Sequence, residues 1–345
     1  MLSTESLGDI SGRKDSHLDL SRSPDSQTGR EPFADWRLPY VALPEIDFQD
    51  VTAETEFLGF ILSQPLIISS MTGGTEHGKK INENLAIAAQ ETQIALGVGS
   101  QRIAFRSSDA EEMFRKVRRD APDACIIANL GAVQLNYELT IDDYRRAVSL
   151  VKANALYLHL NASQEALQPG GNTNFKGLTE KIIKLIQVVD VPVFIKEVGN
   201  GIDVQTAQAM LEAGVAGIDV AGQGGTSFDQ IEATRRGQPE LAKWFENEGI
   251  PTEEAVQTIA PLMDGRVLIA SGGIRNPAMG LKAHARPFGA DLVATTRPFL
   301  DEAMVSPEAV IQSIKRWEFG FRYGMFRAGK RTWEEAADVD LKMVG

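Results

Sequence analysis

The sequence predicts an α/β protein built as a (β/α)8 barrel, with an N-terminal extension and a long insertion after the sixth strand. Two observations point there. From Gln64 onward, short runs rich in Val, Ile and Leu alternate with longer segments of helical periodicity, as parallel strands joined by helical crossovers do. The residues just past these runs are glycines and polar side chains, the composition of the face on which such barrels bind ligands. The 345 residues, 43% of them hydrophobic, supply ample core. An open, doubly wound sheet satisfies the same periodicity, so closure is inferred from the number of units.

Taken in order, residues 1–64 form the extension, and SRSPDSQTGREP (21–32) within it is polar enough to be mobile. Residues 65–345 form the TIM barrel. Its strands are expected at PLIISS (65–70), ALGVGS (95–100), CIIANL (125–130), ALYLHL (155–160), VPVFIKEV (191–198), GIDVAG (217–222), RVLIAS (266–271) and ADLVATT (290–296). Between them, helical repeats read in GKKINENLAIAAQETQ, DAEEMFRKVRRDA, TIDDYRRAVSLVKA, FKGLTEKIIKLIQVV, DVQTAQAMLEAG and PAMGLKAHAR, with SPEAVIQSIKRWEFGFRYGMF as the last helix. Residues 228–264 enlarge the connection after the sixth strand, with a further long helical segment around QPELAKWFENEG.

A formal net charge of −12 argues against general nucleic-acid binding, so any bound anion must be held locally. Cys125 is the single cysteine and lies in CIIANL, where it reads as a small buried hydrophobe. No stretch reaches the roughly 18 to 20 apolar residues of a membrane span, and MLSTESLGDISGRK has no apolar signal segment. A soluble, cytoplasmic protein is expected.

The positions past the strands carry the chemistry. SGGIR (271–275) and TRPF (296–299) follow strands seven and eight, where barrels of this kind cradle phosphate, so a phosphate-bearing cofactor is implied. Lys196 sits within the expected fifth strand in an apolar context and should aim its ammonium into the barrel mouth, although a lysine snorkelling at the rim would read the same way. GQGGTS (222–227) lacks the glycine spacing of a dinucleotide-binding unit. HLNASQE (159–165) feeds His159, Asn161, Gln164 and Glu165 into one turn, which marks a candidate site.

In this order, RKDSH (13–17), SSMTGG (69–74), GVGSQR (97–102), ANLGA (128–132), HLNASQEALQPGG (159–171), KEVGNG (196–201), DVAGQGGTS (219–227), SGGIR and TRPF resemble the type 2 isopentenyl diphosphate isomerase family. The resemblance runs from Arg13 to about Phe299. It implies an FMN-dependent barrel that interconverts isopentenyl and dimethylallyl diphosphate with reduced flavin, NADPH as reductant and Mg²⁺, assembled as a homotetramer or larger homo-oligomer. FMN would lie against Ser70, Met71, Thr72, Ser100, Asn129, Lys196 and Thr226, with its phosphate on Gly273, Ile274, Arg275, Thr296 and Arg297. The substrate would meet Arg13, Lys14, Ser100, Gln101, Arg102, His159, Asn161 and Gln164, and Glu165 would hold Mg²⁺. Gln164, Lys196 and His159 would be catalytic. Ala162 and Ser163 stand where many members carry Pro and an apolar residue.

Without that context, Arg13 and Lys14 read as solvated tail cations, Glu165 as an acid favouring a helix N-terminus and His159 as structural. Two rivals follow from the same residues: an FMN-dependent 2-hydroxy acid oxidase or dehydrogenase, and a non-catalytic FMN-binding protein. The first would place a catalytic His after the sixth strand, where this chain reads DVAGQGGTSF.

Overall fold

The computed structural model describes residues 7–27, 30–70 and 76–344, without the side chains of 7–11, 13–15, 76 and 77. Eight parallel strands close into a barrel: β1 (Leu66–Ile68), β2 (Ala95–Gly97), β3 (Ile126–Gly131), β4 (Ala155–His159), β5 (Val193–Lys196), β6 (Gly217–Asp219), β7 (Val267–Ala270) and β8 (Leu292–Thr295). Seven lie inside the segments the sequence predicts, and β3 runs one residue past its segment, to Gly131. β8 pairs with β1, so the sheet has no edge and the doubly wound alternative is excluded.

Side-chain alternation along the strands builds two cores. Ile67, Ala95, Cys125, Ile127, Ala155, Tyr157, Phe194, Ile269 and Ala294 point inward and fill the barrel. Their neighbours, such as Ile68, Ile126, Leu156, Leu158, Ile195 and Leu268, point outward and pack under the helices. Burial pushes the Cys125 thiol up to about 12, which fits an inert hydrophobe. Phe57 and Leu62, from the antiparallel pair Thr55–Phe57 and Phe60–Leu62, close the barrel floor against Phe194. Gly217 is required by this packing, because a Cβ there would lie 2.6 Å from the Phe194 ring.

The expected helices appear as Glu76–Thr92, Ser108–Asp120, Ile141–Leu150, Leu178–Ile186, Val204–Ala213, Pro277–His284 and Pro307–Arg327. Their ends follow local chemistry: Ser107, Asp203, Asn276 and Ser306 accept backbone N–H bonds at the starts, and Gly214 (φ 95°) ends Val204–Ala213.

The insertion departs from the expectation. QPELAKWFENEG holds only the short helix Glu240–Lys243, and its Trp244 and Phe245 are exposed, so no apolar face anchors a longer one. The helix that returns the chain to β7 is Thr252–Ile259, whose Ala255, Val256 and Ile259 are fully buried. Other helices that go beyond the sequence reading include Phe228–Arg235 after β6, Arg297–Val305 after β8, and Leu7–Arg22 in the extension. Of the polar stretch 21–32, Ser26 and Phe33 beyond it are buried, and Gln27 bridges Thr226. No helix among the described residues is long and apolar enough to cross a membrane.

Candidate active site

At the C-terminal end of the barrel lies a cavity of about 310 Å³. Strand register brings its floor together: Gly131 pairs with His159, His159 with Lys196, and Lys196 with Asp219, so these neighbours on β3 to β6 share one layer. The His159 Nδ1–H donates to Asn129 Oδ1 at 2.8 Å, leaving Nε2 with a lone pair. Burial, helped by the Lys196 charge, pushes His159 down to about 4, so it is neutral near pH 7. A side chain on Gly131 would bring a Cβ to 2.9 Å from His159 Nε2, which explains the glycine.

The turn after β4 carries its polar residues on the short helix Ala162–Leu167. Asn161 Nδ2 donates to Gln164 Oε1 and to Glu165 Oε1, both at 3.1 Å, and so holds the two together. Glu165 Oε2 accepts from the Asn172 N–H at 2.6 Å. The loop closes tightly here, since a Cβ on Gly171 would come within 2.0 Å of the Glu165 carbonyl oxygen. Asn161 Oδ1 is buried with no partner among the described residues.

Glycines form the opposite wall. Gly272 (φ 96°) and Gly273 (φ 75°) press backbone to backbone against Gly222 and Gly224, where any Cβ would collide at 2.0–2.1 Å. Arg275 donates to the Gly224 carbonyl, and Thr296 Oγ1 to that of Ser69. With the N-terminus of Arg297–Val305 alongside, this wall has the form of an anion cradle and would suit a phosphate. Ser70 Oγ, buried and unpartnered among the described residues, faces the same space. These features suit an FMN: a glycine cradle for the phosphate, and Ser70, Asn129 and Lys196 for polar ring atoms.

The helix Leu7–Arg22 covers the mouth with His17, Leu18 and Ser21. His17 Nε2 lies 2.7 Å from Glu232 Oε1, and the fully buried Glu232 also pairs with Arg235 and accepts from Gln164 Nε2 at 3.4 Å. Burial acts to raise the Glu232 pKa, yet the hydrogen bond and charge of His17 and the Arg235 guanidinium outweigh it and hold the carboxyl below its usual range. Glu197, beside Lys196, folds its Oε2 onto the N–H groups of Val198, Gly199 and Asn200, each at 2.6 Å, and so shapes the loop that lines the cavity.

Of the residues singled out in the sequence, Ser70, Ser100, Arg102, Asn129, His159, Asn161, Gln164, Glu165, Lys196, Thr226, Gly273, Ile274, Arg275, Thr296 and Arg297 all line this cavity. Gln101 does not. Its side chain is fully buried behind the wall, donating to the Ala147 carbonyl and accepting from the Asn129 N–H, so direct substrate contact is corrected to support of Asn129. Arg102 reaches the cavity but is ion-paired with Glu138 at 2.6 Å. Met71 and Thr72 lie outside the described residues, and Arg13 and Lys14 sit in the Leu7–Arg22 backbone with their side chains undescribed. The sequence reading missed Glu232 and gave His17 no role of its own; the only available signal was the place of His17 in RKDSH, which names no partner.

Among the described residues no three His, Cys, Asp or Glu side chains converge as a ready metal site. Glu165 offers a buried carboxylate in the cavity wall, which suits an Mg²⁺ completed by phosphate oxygens and water.

The profile of the FMN-dependent dehydrogenase family matches residues 159–342. The chain is 42% identical over 337 residues to the isopentenyl-diphosphate delta-isomerase of Pseudescherichia vulneris, covering 96% of each, and 46% identical to that of Synechococcus sp., covering 93% of each. The chain belongs to the isopentenyl-diphosphate delta-isomerase family. Matching both the flavin profile and these isomerases makes it the FMN-dependent type 2 form, as the sequence motifs imply. In shape it is similar to a mandelate oxidase solved with (S)-mandelic acid (TM-score 0.69, 19% identity, 99% of both chains covered). A lactate oxidase of Pediococcus acidilactici is similar too (TM-score 0.68, 16% identity, 100% of this chain and 99% of the other). At such identities the likeness is one of fold alone.

Proposed function

We propose that this chain interconverts isopentenyl and dimethylallyl diphosphate, with reduced FMN in the barrel mouth, NADPH as its reductant and Mg²⁺ on the diphosphate. The observation that carries this reading is the meeting of His159, Asn161, Gln164 and Glu165 with Lys196 across one cavity from a glycine cradle. A reduced flavin supplies a proton donor and acceptor at N5 and an electron-rich face for carbons that are neither acidic nor basic in water.

The protein's own groups position and exclude. Gly273, Ile274, Arg275, Thr296 and Arg297 hold the FMN phosphate, while Ser70, Ser100, Asn129, Lys196 and Thr226 line the ring. Neutral His159, Asn161 and Arg102 meet the diphosphate, with Arg13 and Lys14 closing from the N-terminal helix, and Glu165 holds the metal. Gln164 sits beside the reacting carbons, and the Leu7–Arg22 helix keeps water out. We further propose a homotetramer or larger assembly, supported by the exposed stack of Phe319 on Tyr323 beside Tyr40, and a place in the cytoplasm.

A 2-hydroxy acid oxidase shares the fold, but it needs a base after the sixth strand, and here the cavity wall beyond β6 is Ala221, Gly225, Thr226 and Phe228. The test is anaerobic turnover with limiting NADPH in deuterated water. Isomerisation should outlast the NADPH by many turnovers and label the product with deuterium. One NADPH consumed per product, or equal activity of oxidised enzyme, would replace the isomerase with an oxidoreductase.

A further inference from the structure

Directly beneath the cavity floor, Asp219 is a fully buried carboxylate in a barrel otherwise filled by apolar and aromatic side chains. Burying such a charge is costly unless it is paired and hydrogen-bonded. Its two oxygens face cavity residues: Oδ1 accepts a short hydrogen bond from Ser271 Oγ, and Oδ2, which accepts no hydrogen bond among the described residues, lies 3.3 Å from Lys196 Nζ in an ion pair. Among the described residues Lys196 is its only ion-pair partner. Tyr157 packs against the same carboxylate, and burial together with the Asp219 charge keeps its phenol protonated.

Lys196 Nζ also lies 3.4 Å from Ser271 Oγ. An ammonium has three N–H donors. Ser271 takes one of them and the Asp219 charge holds the ammonium from the same side, which leaves donor capacity for the cavity that Lys196 lines. Strand register fixes this arrangement, since Asp219 pairs with Lys196 on one side and Ile269, two residues before Ser271, on the other.

We propose that Asp219 is a positioning residue that aims the Lys196 ammonium at the flavin and offsets its charge, so that the ring meets an oriented N–H of a neutral pair rather than an isolated cation. This rests on the reading that FMN lies against Lys196. Without Asp219 the ammonium is uncompensated, and the reduced, anionic flavin gains relative to the oxidised one.

The test is the FMN midpoint potential of the holoenzyme carrying Asp219→Asn, which keeps volume and removes charge. Tighter binding of reduced over oxidised flavin by tenfold or more is expected, a positive shift of about 30 mV for a two-electron couple. In a Lys196→Met background the same change should add no further shift. An unchanged or more negative potential in Asp219→Asn, or an equal shift in the Lys196→Met background, overturns the proposal. If either single variant fails to fold, thermal melting of the apo double variant decides: the neutral pair folds if the two charges offset one another, and its failure overturns the pairing. A wild-type protein that binds no FMN would instead overturn the flavin reading itself.

Discussion

Replacing Gly273 with Ala is the most searching probe of the cradle, because the structure fixes what the new methyl meets. Its Cβ would lie 2.1 Å from the Gly224 carbonyl oxygen, 2.4 Å from its carbon and 2.9 Å from Pro32 Cγ. The first two are backbone and cannot rotate away. The φ of 75° adds its own cost, about 1 kcal/mol for a residue with a side chain. Relieving the collision by moving the loop adds the usual overpacking cost of about 1–3 kcal/mol. A total near 3 kcal/mol lowers the melting temperature by roughly 4 °C in a chain of this size. Because the loop that moves is the one expected to hold phosphate, losing even one charge-assisted hydrogen bond of about 1.5–3 kcal/mol weakens FMN roughly 10- to 100-fold. The control is Gly237→Ala, whose φ is 73° but whose Cβ would meet nothing within 4 Å; it should show the small backbone cost and normal FMN binding. Flavin fluorescence titration and thermal melts of both variants make the comparison. If Gly273→Ala binds FMN as wild type does and melts like Gly237→Ala, the cradle argument is wrong.

Other expectations follow from the remaining contacts. Glu165→Gln should keep FMN but lose most Mg²⁺-dependent turnover, since an amide is a poorer ligand for a hard cation; unchanged Mg²⁺ dependence would put the metal elsewhere. In NMR titrations the His159 imidazole should stay neutral down to about pH 4, and Lys196→Met should raise that value yet leave it below the ordinary 6.5, because burial is the larger cause. A native histidine depressed this way binds fewer protons than the unfolded one, so its contribution is complete above 6.5 and lost as pH falls towards 4. Glu232→Gln should free the Leu7–Arg22 helix, read as faster proteolysis within it, by weakening the tie to His17. The Glu232 carboxyl is held below its usual value, so the carboxylate's share of that tie is complete above the ordinary carboxylate range and lost only as pH falls into acid; a Glu232→Gln helix no more open to protease than the wild type would contradict the pairing.

Local sequence alone specifies the eight strands, the helices that follow most of them and the polar turns beyond the strands. Alternation and helical repeat are local, and the residues past each run declare a polar turn without knowing their neighbours. Hence His159, Asn161, Gln164, Glu165, Lys196 and the SGGIR loop were legible, and the order of their motifs carried the family. Only the tertiary structure decided the rest. Gln101 reads like its neighbours Ser100 and Arg102, yet it turns behind the wall because its amide bridges the Ala147 and Asn129 backbones. QPELAKWFENEG reads as a helix, but its register offers Trp244 and Phe245 nothing to pack against. His17 and Glu232 meet across 215 residues, and Asp219 finds Lys196 and Ser271 only once three strands lie side by side. Pairings of that kind are set by closure of the barrel, a long-range event that no window of sequence reports.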